Sequence, residues 1–348
     1  MTIDINFTLF QQQLLKWYDL NSRKLPFRTD PTPYRVWISE IMLQQTRVDT
    51  VLPYFERFMQ EIPNIQVLAN ISDDKLLKLW QGLGYYNRAK NLKKAAAIIL
   101  DDYNGIFPSD STLLQNLPGI GPYTAGAIAS IAFGKKTAAI DGNVLRVISR
   151  IIANTRSIDN ISVKKEIELI VYNSLPAYRI GDYNQALMEL GATICLPYEQ
   201  AKCTACPVDS LCEAYRQNIV STLPVREKKK PRQIELRTVY VIKNDCTYAL
   251  LQRPKNGLLS GLYELPNVLG HDTINKSKLL LNSWDIDIDT IIPLKSSKHI
   301  FTHIEWQMIA YLVHAKNMKS NKFIWATKEE VANIYSIPSA FKAYVRYL

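Results

Sequence analysis

The sequence predicts two domains, a mainly α-helical N-terminal domain and a smaller α+β C-terminal domain. In the first two thirds of the chain, apolar residues recur at helical spacing and are interrupted by Pro and Gly. The last third has short runs of alternating or β-branched residues, which are typical of strands. A basic stretch bounded by prolines, 224–232 (PVREKKKPR), separates the two parts. The length of 348 residues also fits about two domains.

The periodicity predicts the individual elements in order. Helices are expected at Leu9–Trp17, Tyr34–Met59, Asp73–Trp80, Ala89–Asp101, Thr112–Leu117, Tyr123–Ala132, Asn143–Ile152, Val163–Leu175 and Tyr183–Thr193. Strands are expected at Leu236–Lys243, Cys246–Gln252, Ile291–Pro293, Lys298–Phe301 and Trp306–Val313. We place the domains at residues 1–222 and 236–348. The basic linker between them, 223–235, is either a solvated connector or a segment that follows a phosphate backbone.

The charge balance favours an acidic partner. Lysine and arginine outnumber aspartate and glutamate by 42 to 32, which gives a net charge of +10. This excess suits a polyanion such as nucleic acid, although basic proteins without such a partner also exist. No apolar run reaches the roughly 20 residues of a membrane span, and the first residues lack the pattern of a signal peptide. We therefore expect a cytoplasmic protein with reduced cysteines.

The segment 117–126 (LPGIGPYTAG) predicts two short helices joined by a tight turn. Gly119 and Gly121 permit the turn, because glycine adopts backbone conformations that other residues avoid. Pro122 suits the first position of the second helix. Backbone N–H groups at the start of that helix would face outward and could bind an anion such as a DNA phosphate. A plain helix–helix turn is the alternative.

Four of the five cysteines lie close together near the end of the helical part, separated by seven, two and five residues. They are Cys195, Cys203, Cys206 and Cys212. In a reducing compartment, this cluster indicates a metal centre rather than disulfides. The spacing alone fits both a zinc ion and a [4Fe–4S] cluster.

Two carboxylates are candidates for acid–base chemistry. Glu40 lies one helical turn from Trp37 on an apolar stripe, where burial would raise its pKa and make it a general acid at neutral pH. Asp141 precedes an apolar helix. Each has a simpler interpretation, since Glu40 could be a paired surface acid and Asp141 an N-cap.

The order of these features resembles that of the endonuclease III-like DNA glycosylase superfamily, in which a helix-hairpin-helix precedes an aspartate and a four-cysteine loop. The strings SEIMLQQTRV (39–48) and QGLGYYNRA (81–89) narrow the resemblance to the A/G-specific adenine DNA glycosylases, the MutY family. The resemblance covers nearly the whole chain. It implies that the four cysteines hold a [4Fe–4S] cluster, although the first gap of seven residues is one longer than is usual in the family.

The resemblance implies a monofunctional glycosylase that removes adenine mispaired with 8-oxoguanine or guanine in duplex DNA during base excision repair. Glu40 would protonate adenine at N7, and Asp141 would stabilise the positive charge that develops on the sugar. Asn143 would support Asp141, and Tyr123 would hydrogen-bond Glu40. Such a division of labour suits glycosidic cleavage, in which one carboxylic acid serves the leaving group and one carboxylate serves the oxocarbenium-like sugar.

The same resemblance assigns DNA contacts. Gln45 and Tyr85 match the wedge that enters the base stack beside 8-oxoguanine, and Gly119 and Gly121 match the phosphate contact. Pocket and lesion contacts are implied for Arg28, Leu43, Thr46 and Gln185. The expected protein is a monomer that associates with DNA and not with a membrane.

Two other functions stay open at the level of sequence. Relatives that also cut the DNA strand have a lysine in place of Tyr123, whose amine forms a Schiff base with the sugar. A bifunctional, endonuclease III-like glycosylase/lyase is therefore disfavoured by Tyr123. A non-catalytic protein that binds damaged DNA is disfavoured by the presence of both Glu40 and Asp141.

The C-terminal part resembles the NUDIX (MutT-like) domain that recognises 8-oxoguanine in this family. The matching stretch is 257–266 (GLLSGLYELP). An active nucleotide hydrolase would need a helix with a run of acidic metal ligands, and the segment 271–282 has none. Phe301, Thr302 and His303 match the loop that contacts the lesion.

Overall fold

The computed structural model describes residues 5–228, 231–317 and 320–348. The chain forms two compact units. The N-terminal unit contains the residues up to 70 together with 91–228, and the C-terminal unit contains 71–90 together with the residues from 229 onward. The helical segment 71–90 thus belongs to the C-terminal unit. The predicted division into residues 1–222 and 236–348 placed this segment in the N-terminal domain.

The part of the chain before residue 217 is helical, in agreement with the periodicity. Its helices are α1 (Phe7–Asn21), α2 (Pro26–Thr29), α3 (Pro33–Leu43), α4 (Val48–Glu61), α5 (Ile65–Asn70), α6 (Asp73–Leu79), α7 (Asn87–Tyr103), α8 (Ser111–Gln115), α9 (Pro122–Ala127), α10 (Gly142–Ile151), α11 (Ile161–Asn173), α12 (Ile180–Thr193) and α13 (Glu213–Arg216). Among the described residues, no helix is both long and apolar enough to cross a membrane.

Two of the predicted helices differ from those observed. The single helix predicted over 34–59 is wrong: α3 ends at Leu43, and α4 begins only at Val48. Between them, Gln45 has a left-handed backbone with φ of 59°, which a right-handed helix cannot accommodate. The helix predicted to run to Ala132 ends at Ala127 and continues as a π-helical turn over Ile128–Ala132.

The core of the N-terminal unit is built around α12. Tyr183, Ala186, Leu187 and Leu190 follow each other at spacings of three and one, so that they form one buried face of this helix. This face packs with apolar side chains of α1, α10 and α11 in one cluster. Packing therefore fixes α10 and α12, the two helices that position much of the candidate site.

The C-terminal unit contains a mixed sheet of seven strands. The strands are β1 (Gln233–Asn244), β2 (Thr247–Gln252), β3 (Tyr263–Glu264), β4 (Asn267–Leu269), β5 (Ile288–Ile300), β6 (Ile304–Ala315) and β7 (Ile324–Thr327). The order is β3-β2-β1-β6-β5, with β4 paired to β1 and β7 paired to β2. Strands β1 and β6 are parallel, whereas the other pairs are antiparallel.

Helices cover the sheet on both faces. They are α14 (Ile274–Ser283), α15 (Lys328–Asn333) and α16 (Lys342–Val345). Along β1, Val239 and Val241 belong to one apolar cluster, whereas Tyr240 and Ile242 belong to the other, as the period of a strand requires. The two strands predicted at 291–293 and 298–301 are one strand, β5, with an irregular register between Leu294 and Ser297.

Part of the predicted linker is held by the N-terminal unit. The carbonyl of Val225 accepts a hydrogen bond from the N–H of Ile158 at 3.0 Å, and the N–H of Glu227 donates to Asp159 at 3.0 Å. Lys229 and Lys230 lie outside the described residues. Residues 225–227 are therefore fixed in place and are not a freely solvated connector.

Candidate active site

Glu40 lies in the buried part of α3. Nearly all residues of this helix are buried, and Glu40 is 6% exposed. Burial raises the pKa of Glu40 to about 7, with a further contribution from the charge of Asp141, while Tyr123 and Arg28 act to lower it. A substantial fraction of Glu40 is therefore protonated at neutral pH, as a general acid requires.

Tyr123 is the partner of Glu40. It follows Pro122, which occupies the first position of α9, and its hydroxyl donates a hydrogen bond to Oε2 of Glu40. The same hydroxyl lies 3.3 Å from Sδ of Met188 on α12. Burial and the nearby carboxylates raise the pKa of Tyr123 well above its usual value of 10. The phenol therefore keeps its proton and remains a hydrogen-bond donor.

Asp141 is the N-cap of α10, which is the simpler of its two interpretations from the sequence. As the N-cap of α10, its Oδ1 accepts hydrogen bonds from the N–H groups of Asn143 at 2.9 Å and Val144 at 2.8 Å. Its Oδ2 accepts a third from the side chain of Asn143 at 2.7 Å. Burial raises the pKa of Asp141, although these hydrogen bonds work in the opposite direction. The capping carboxylate is half-buried, and its charge contributes to raising the pKa of Glu40.

Four other residues predicted to contact DNA lie close in sequence to Glu40 or Met188. Leu43 and Thr46 are half-buried, whereas Gln45 between them is exposed. Gln185 is half-buried on α12, one turn before Met188.

The helix-hairpin-helix is formed by α8 and α9. Gly119 in its turn has a φ of 79°, and a Cβ there would lie 2.8 Å from Cβ of Asn91. Gly121 is exposed and has no atom within 4 Å of the place where a Cβ would be. The turn therefore requires glycine at position 119, while position 121 leaves its backbone open to an approaching molecule.

The four clustered cysteines line one cavity that opens to solvent. No group of three His, Cys, Asp and Glu side chains within the described ranges could hold a single metal ion. Burial and, to a smaller extent, the neighbouring cysteines raise the pKa of Cys206 to about 12 and that of Cys212 to about 11. These two thiols therefore keep their protons at neutral pH unless a cation binds them.

Two arginines of α10 contact the cysteine loop. Arg150 is 1% exposed and donates to the carbonyl of Leu196 at 2.7 Å, and its Nη1 lies 3.3 Å from Sγ of Cys195. Arg146 donates to the carbonyl of Cys195 at 2.8 Å and to Oδ1 of Asn143 at 2.9 Å. A continuous chain of hydrogen bonds therefore joins the loop to Asp141.

The predicted lesion contacts lie together in the C-terminal unit. The hydroxyl of Tyr85 is 3.1 Å from Oγ1 of Thr302. Phe301 packs edge-on against Trp306, with ring centroids 4.9 Å apart, while Thr302 and His303 are exposed. Phe301 thus anchors the turn between β5 and β6 that presents the other two side chains.

Comparison with known proteins shows the family of this chain. Residues 38–171 match the family model described as HhH-GPD superfamily base excision DNA repair protein, and residues 237–347 match the NUDIX domain. The adenine DNA glycosylase of Mus musculus is 34% identical over 97% of this chain and 78% of its own length. The chain belongs to the adenine DNA glycosylase family. The adenine DNA glycosylase of Buchnera aphidicola subsp. Baizongia pistaciae is 35% identical, over 91% of this chain and 90% of its own length.

Solved structures agree with the fold of the N-terminal unit. A thermostable thymine-DNA glycosylase superposes with a TM-score of 0.55 at 28% identity, covering 61% of this chain and 97% of its own. The predicted family and the predicted fold class, a helix-hairpin-helix glycosylase domain followed by a NUDIX-like domain, are thereby confirmed.

The sequence analysis missed Glu189 in this adenine DNA glycosylase site. Glu189 is fully buried and accepts from Arg23 at 2.6 Å and from Arg28 at 2.7 Å. Burial would raise the pKa of Glu189, but the two arginines lower it to about 2. Arg28, a predicted pocket contact, is therefore held as one member of an ion-pair network. The only sequence signal for Glu189 is its place one helical turn after Gln185.

Gly191 is a second residue that the sequence analysis missed. A Cβ at this position would lie 2.6 Å from Cβ of Asn143, and the carbonyl of Gly191 accepts from Arg146 at 2.7 Å. Any larger residue would therefore displace Asn143 from Asp141. A glycine inside a helix costs stability and often marks such a close approach.

Proposed function

We propose that this member of the family hydrolyses the N-glycosidic bond of adenine mispaired with 8-oxoguanine or guanine in duplex DNA. The observation that carries the proposal is the hydrogen bond from Tyr123 to the buried Glu40, with the capping carboxylate of Asp141 close enough to influence the pKa of Glu40. This arrangement supplies one acid and one carboxylate to the same reaction, as glycosidic cleavage demands.

The reaction begins with protonation of the leaving group. Glu40 donates its proton to N7 of the flipped adenine, and Tyr123 keeps the carboxyl group in place. The bond between C1′ and N9 then breaks, and its electron pair leaves with adenine. Asp141 stabilises the oxocarbenium-like sugar that remains, and Asn143 holds Asp141. Water adds to C1′ and gives its proton to the Glu40 carboxylate, so that the products are free adenine and an abasic site.

The absence of an amine at position 123 limits the reaction to base removal. The phenol of Tyr123 has no nitrogen and cannot form the Schiff base that leads to strand cleavage. The product strand should therefore remain intact until it is treated with alkali.

Recognition of DNA is divided among residues of both units. Adenine has to leave the duplex to reach Glu40, which costs unstacking energy that a wedge can supply. We assign the wedge to Gln45 and Tyr85, phosphate binding to the turn of Gly119 and Gly121, and reading of 8-oxoguanine to Phe301, Thr302 and His303. We assign the adenine pocket and adjacent contacts to Arg28, Leu43, Thr46 and Gln185.

We assign a [4Fe–4S] cluster to the four cysteines around the cavity. Four thiols are the donor set of such a cluster, and all four cysteines line one cavity. Arg150 beside Cys195 would offset the negative charge of a cluster bound by thiolates. When bound, the cluster would fix the loop that Arg146 connects to Asn143.

The deciding experiment is a single-turnover assay on duplexes that contain A:8-oxoguanine, A:G or A:T, followed by alkali. We expect strand breaks at adenine in the first two duplexes and none in the third. Borohydride should trap almost no enzyme–DNA adduct, because Tyr123 offers no amine. Breaks without alkali, together with strong trapping, would establish a lyase instead. Tight mismatch binding without any breaks would establish a non-catalytic damage sensor.

The cluster assignment predicts the colour and metal content of the protein. Purified without oxygen, it should be brown from thiolate-to-iron charge transfer and contain about four irons per chain. Replacing Cys206 by Ser should lower the iron content and destabilise the loop, whereas replacing the exposed Cys246 by Ser should change neither. A colourless protein with one zinc per chain would contradict the assignment.

The pH dependence of excision should report the ionisation of Glu40. Because the acid form is required, the rate should fall as the pH rises through about 7. The Tyr123 hydrogen bond lowers the pKa of Glu40, so Tyr123→Phe should move this decline to higher pH while reducing the maximal rate. Tyr34→Phe is the matched control, since its buried hydroxyl donates to the carbonyl of Ile62 instead. A decline at the same pH in both variants would remove Tyr123 from this role.

A further inference from the structure

We propose that Lys78, Gln81 and Lys90 are positioning residues for lesion discrimination, which join the wedge Tyr85 and the lesion-reading Thr302 into one rigid element. The inference rests on the proposed function, in which these two side chains contact the DNA at the mispair. All five residues belong to the C-terminal unit.

The first attachment is made by Lys78 at the end of α6. Its Nζ donates to the carbonyls of Val331 at 3.1 Å and Tyr335 at 3.0 Å. Val331 lies in α15, and Tyr335 follows the end of that helix. Carbonyls at a helix C-terminus lack partners within the helix, and the helix dipole favours a cation there. Lys78 therefore caps α15 and ties α6 to it.

Two further hydrogen-bonding residues, Gln81 and Lys90, lie on either side of Tyr85 in the sequence. Nε2 of Gln81 donates to the carbonyl of Ile337 at 2.9 Å. Nζ of Lys90 donates to the carbonyl of Ser260 at 2.6 Å and to its hydroxyl at 2.8 Å. One attachment thus precedes Tyr85 by four residues and the other follows it by five. They reach two different stretches of the NUDIX-like domain, so the segment between them cannot rotate freely.

The turn between these attachments is itself closed by hydrogen bonds. Nε1 of Trp80 donates to the carbonyl of Gly84 at 3.1 Å. Nη2 of Arg88 donates to the carbonyls of Leu83 at 2.9 Å and Gly84 at 3.1 Å, and its guanidinium lies 5.6 Å from the centre of the Tyr85 ring. Tyr85 has a left-handed backbone with φ of 47°, a conformation that only a well-fixed turn maintains.

The result is a wedge whose position depends on the NUDIX-like domain. The Tyr85 side chain is 49% exposed, so its ring is available to enter a base stack, while its hydroxyl contacts Thr302. If these hydrogen bonds are lost, Tyr85 and Thr302 can still contact DNA, but the distance between them is no longer fixed. The loss should therefore affect the choice between 8-oxoguanine and guanine more than the cleavage itself.

The test compares excision from A:8-oxoguanine and A:G by the full-length protein with Lys78→Met and Lys90→Met combined. We expect the ratio of the two single-turnover rates, measured with enzyme in excess over DNA but below saturation, to fall about tenfold, the size of coupling seen between residues of one network. Lys278→Met is the control, because it removes one exposed positive charge of the same unit. Gln81→Met, which changes no charge, should lower the ratio in the same direction and serves if the double variant fails to fold.

A double-mutant cycle makes the test specific for coupling. Thr302→Val alone should lower the ratio, and adding it to the Lys78→Met, Lys90→Met protein should lower the ratio much less. Equal losses of rate on both duplexes, which leave the ratio unchanged, would overturn the proposal. Fully additive effects of the substitutions on the ratio would also overturn it. The unmodified protein separates this outcome from failure of the proposed function, which would appear as no excision from either duplex.

Discussion

Replacing Glu40 by Gln should reduce the single-turnover rate of adenine excision by about 10²- to 10⁴-fold, the range that a positioned general acid supplies. The amide keeps the shape of the side chain and can still accept the hydrogen bond of Tyr123, but it has no acidic proton for N7. Binding to an A:8-oxoguanine duplex should persist. Excision within about tenfold of the unmodified rate would mean that Glu40 is not the acid.

The same substitution should make the folded protein more stable at alkaline pH. Since burial raises the pKa of Glu40 from 4.5 to about 7, the folded state loses stability as the pH rises between these values. At pH 8 the cost is on the order of 3 kcal/mol. Glu40→Gln removes this cost, so its midpoint of unfolding should exceed that of the unmodified protein at pH 8 and differ little at pH 4.5. Glu168→Gln, at an exposed position, is the control.

Replacing Asp141 by Asn should lower the excision rate by about 10²- to 10³-fold, because a neutral amide cannot stabilise the cationic sugar as a carboxylate does. Asn caps helices as well as Asp does, and its oxygen can accept from the N–H groups of Asn143 and Val144. The free energy of unfolding should therefore change by less than about 1 kcal/mol, whereas Asp141→Ala should lose about that amount as well as activity.

Comparison of these two variants separates the chemical role of Asp141 from its structural role. Excision rates and urea unfolding curves are measured for both. If Asp141→Asn retains activity while Asp141→Ala loses it, the carboxylate serves only as a cap. Iron content, measured in parallel, shows whether the chain through Asn143 and Arg146 to the cysteine loop remains intact in each protein.

Features fixed by local sequence could be predicted, and those fixed by packing could not. Helical spacing and capping chemistry, which are local, marked Glu40 and Asp141 as candidates, and the family resemblance supplied their expected roles. The break after Leu43 escaped prediction because neither Gly nor Pro marks it, and Gln45 adopts its left-handed conformation in the folded protein. Glu189 escaped because a buried acid shows its arginine partners only after residues far apart in the chain meet.

The assignment of residues 71–90 to the C-terminal unit also depends on packing alone. Lys78, Gln81 and Lys90 donate to main-chain carbonyls. Every residue type offers such an acceptor, so these contacts leave no pattern of matched charges or apolar side chains in the sequence. The family model also gives no sign of this assignment, because its match over 38–171 includes residues 71–90.

Because the chain leaves the N-terminal unit at residue 70 and returns at 91, the backbone connects the units at three places. A protease that cuts the lysine-rich stretch after Glu227 severs only one of these connections. The nicked protein should therefore migrate as a single particle on a native gel and separate into two fragments only in denaturant. A chain shortened at the same point would leave Lys78 without the carbonyls at the end of α15 that it caps. Such a truncation would therefore remove the lesion-reading Thr302 and also the support of the wedge Tyr85.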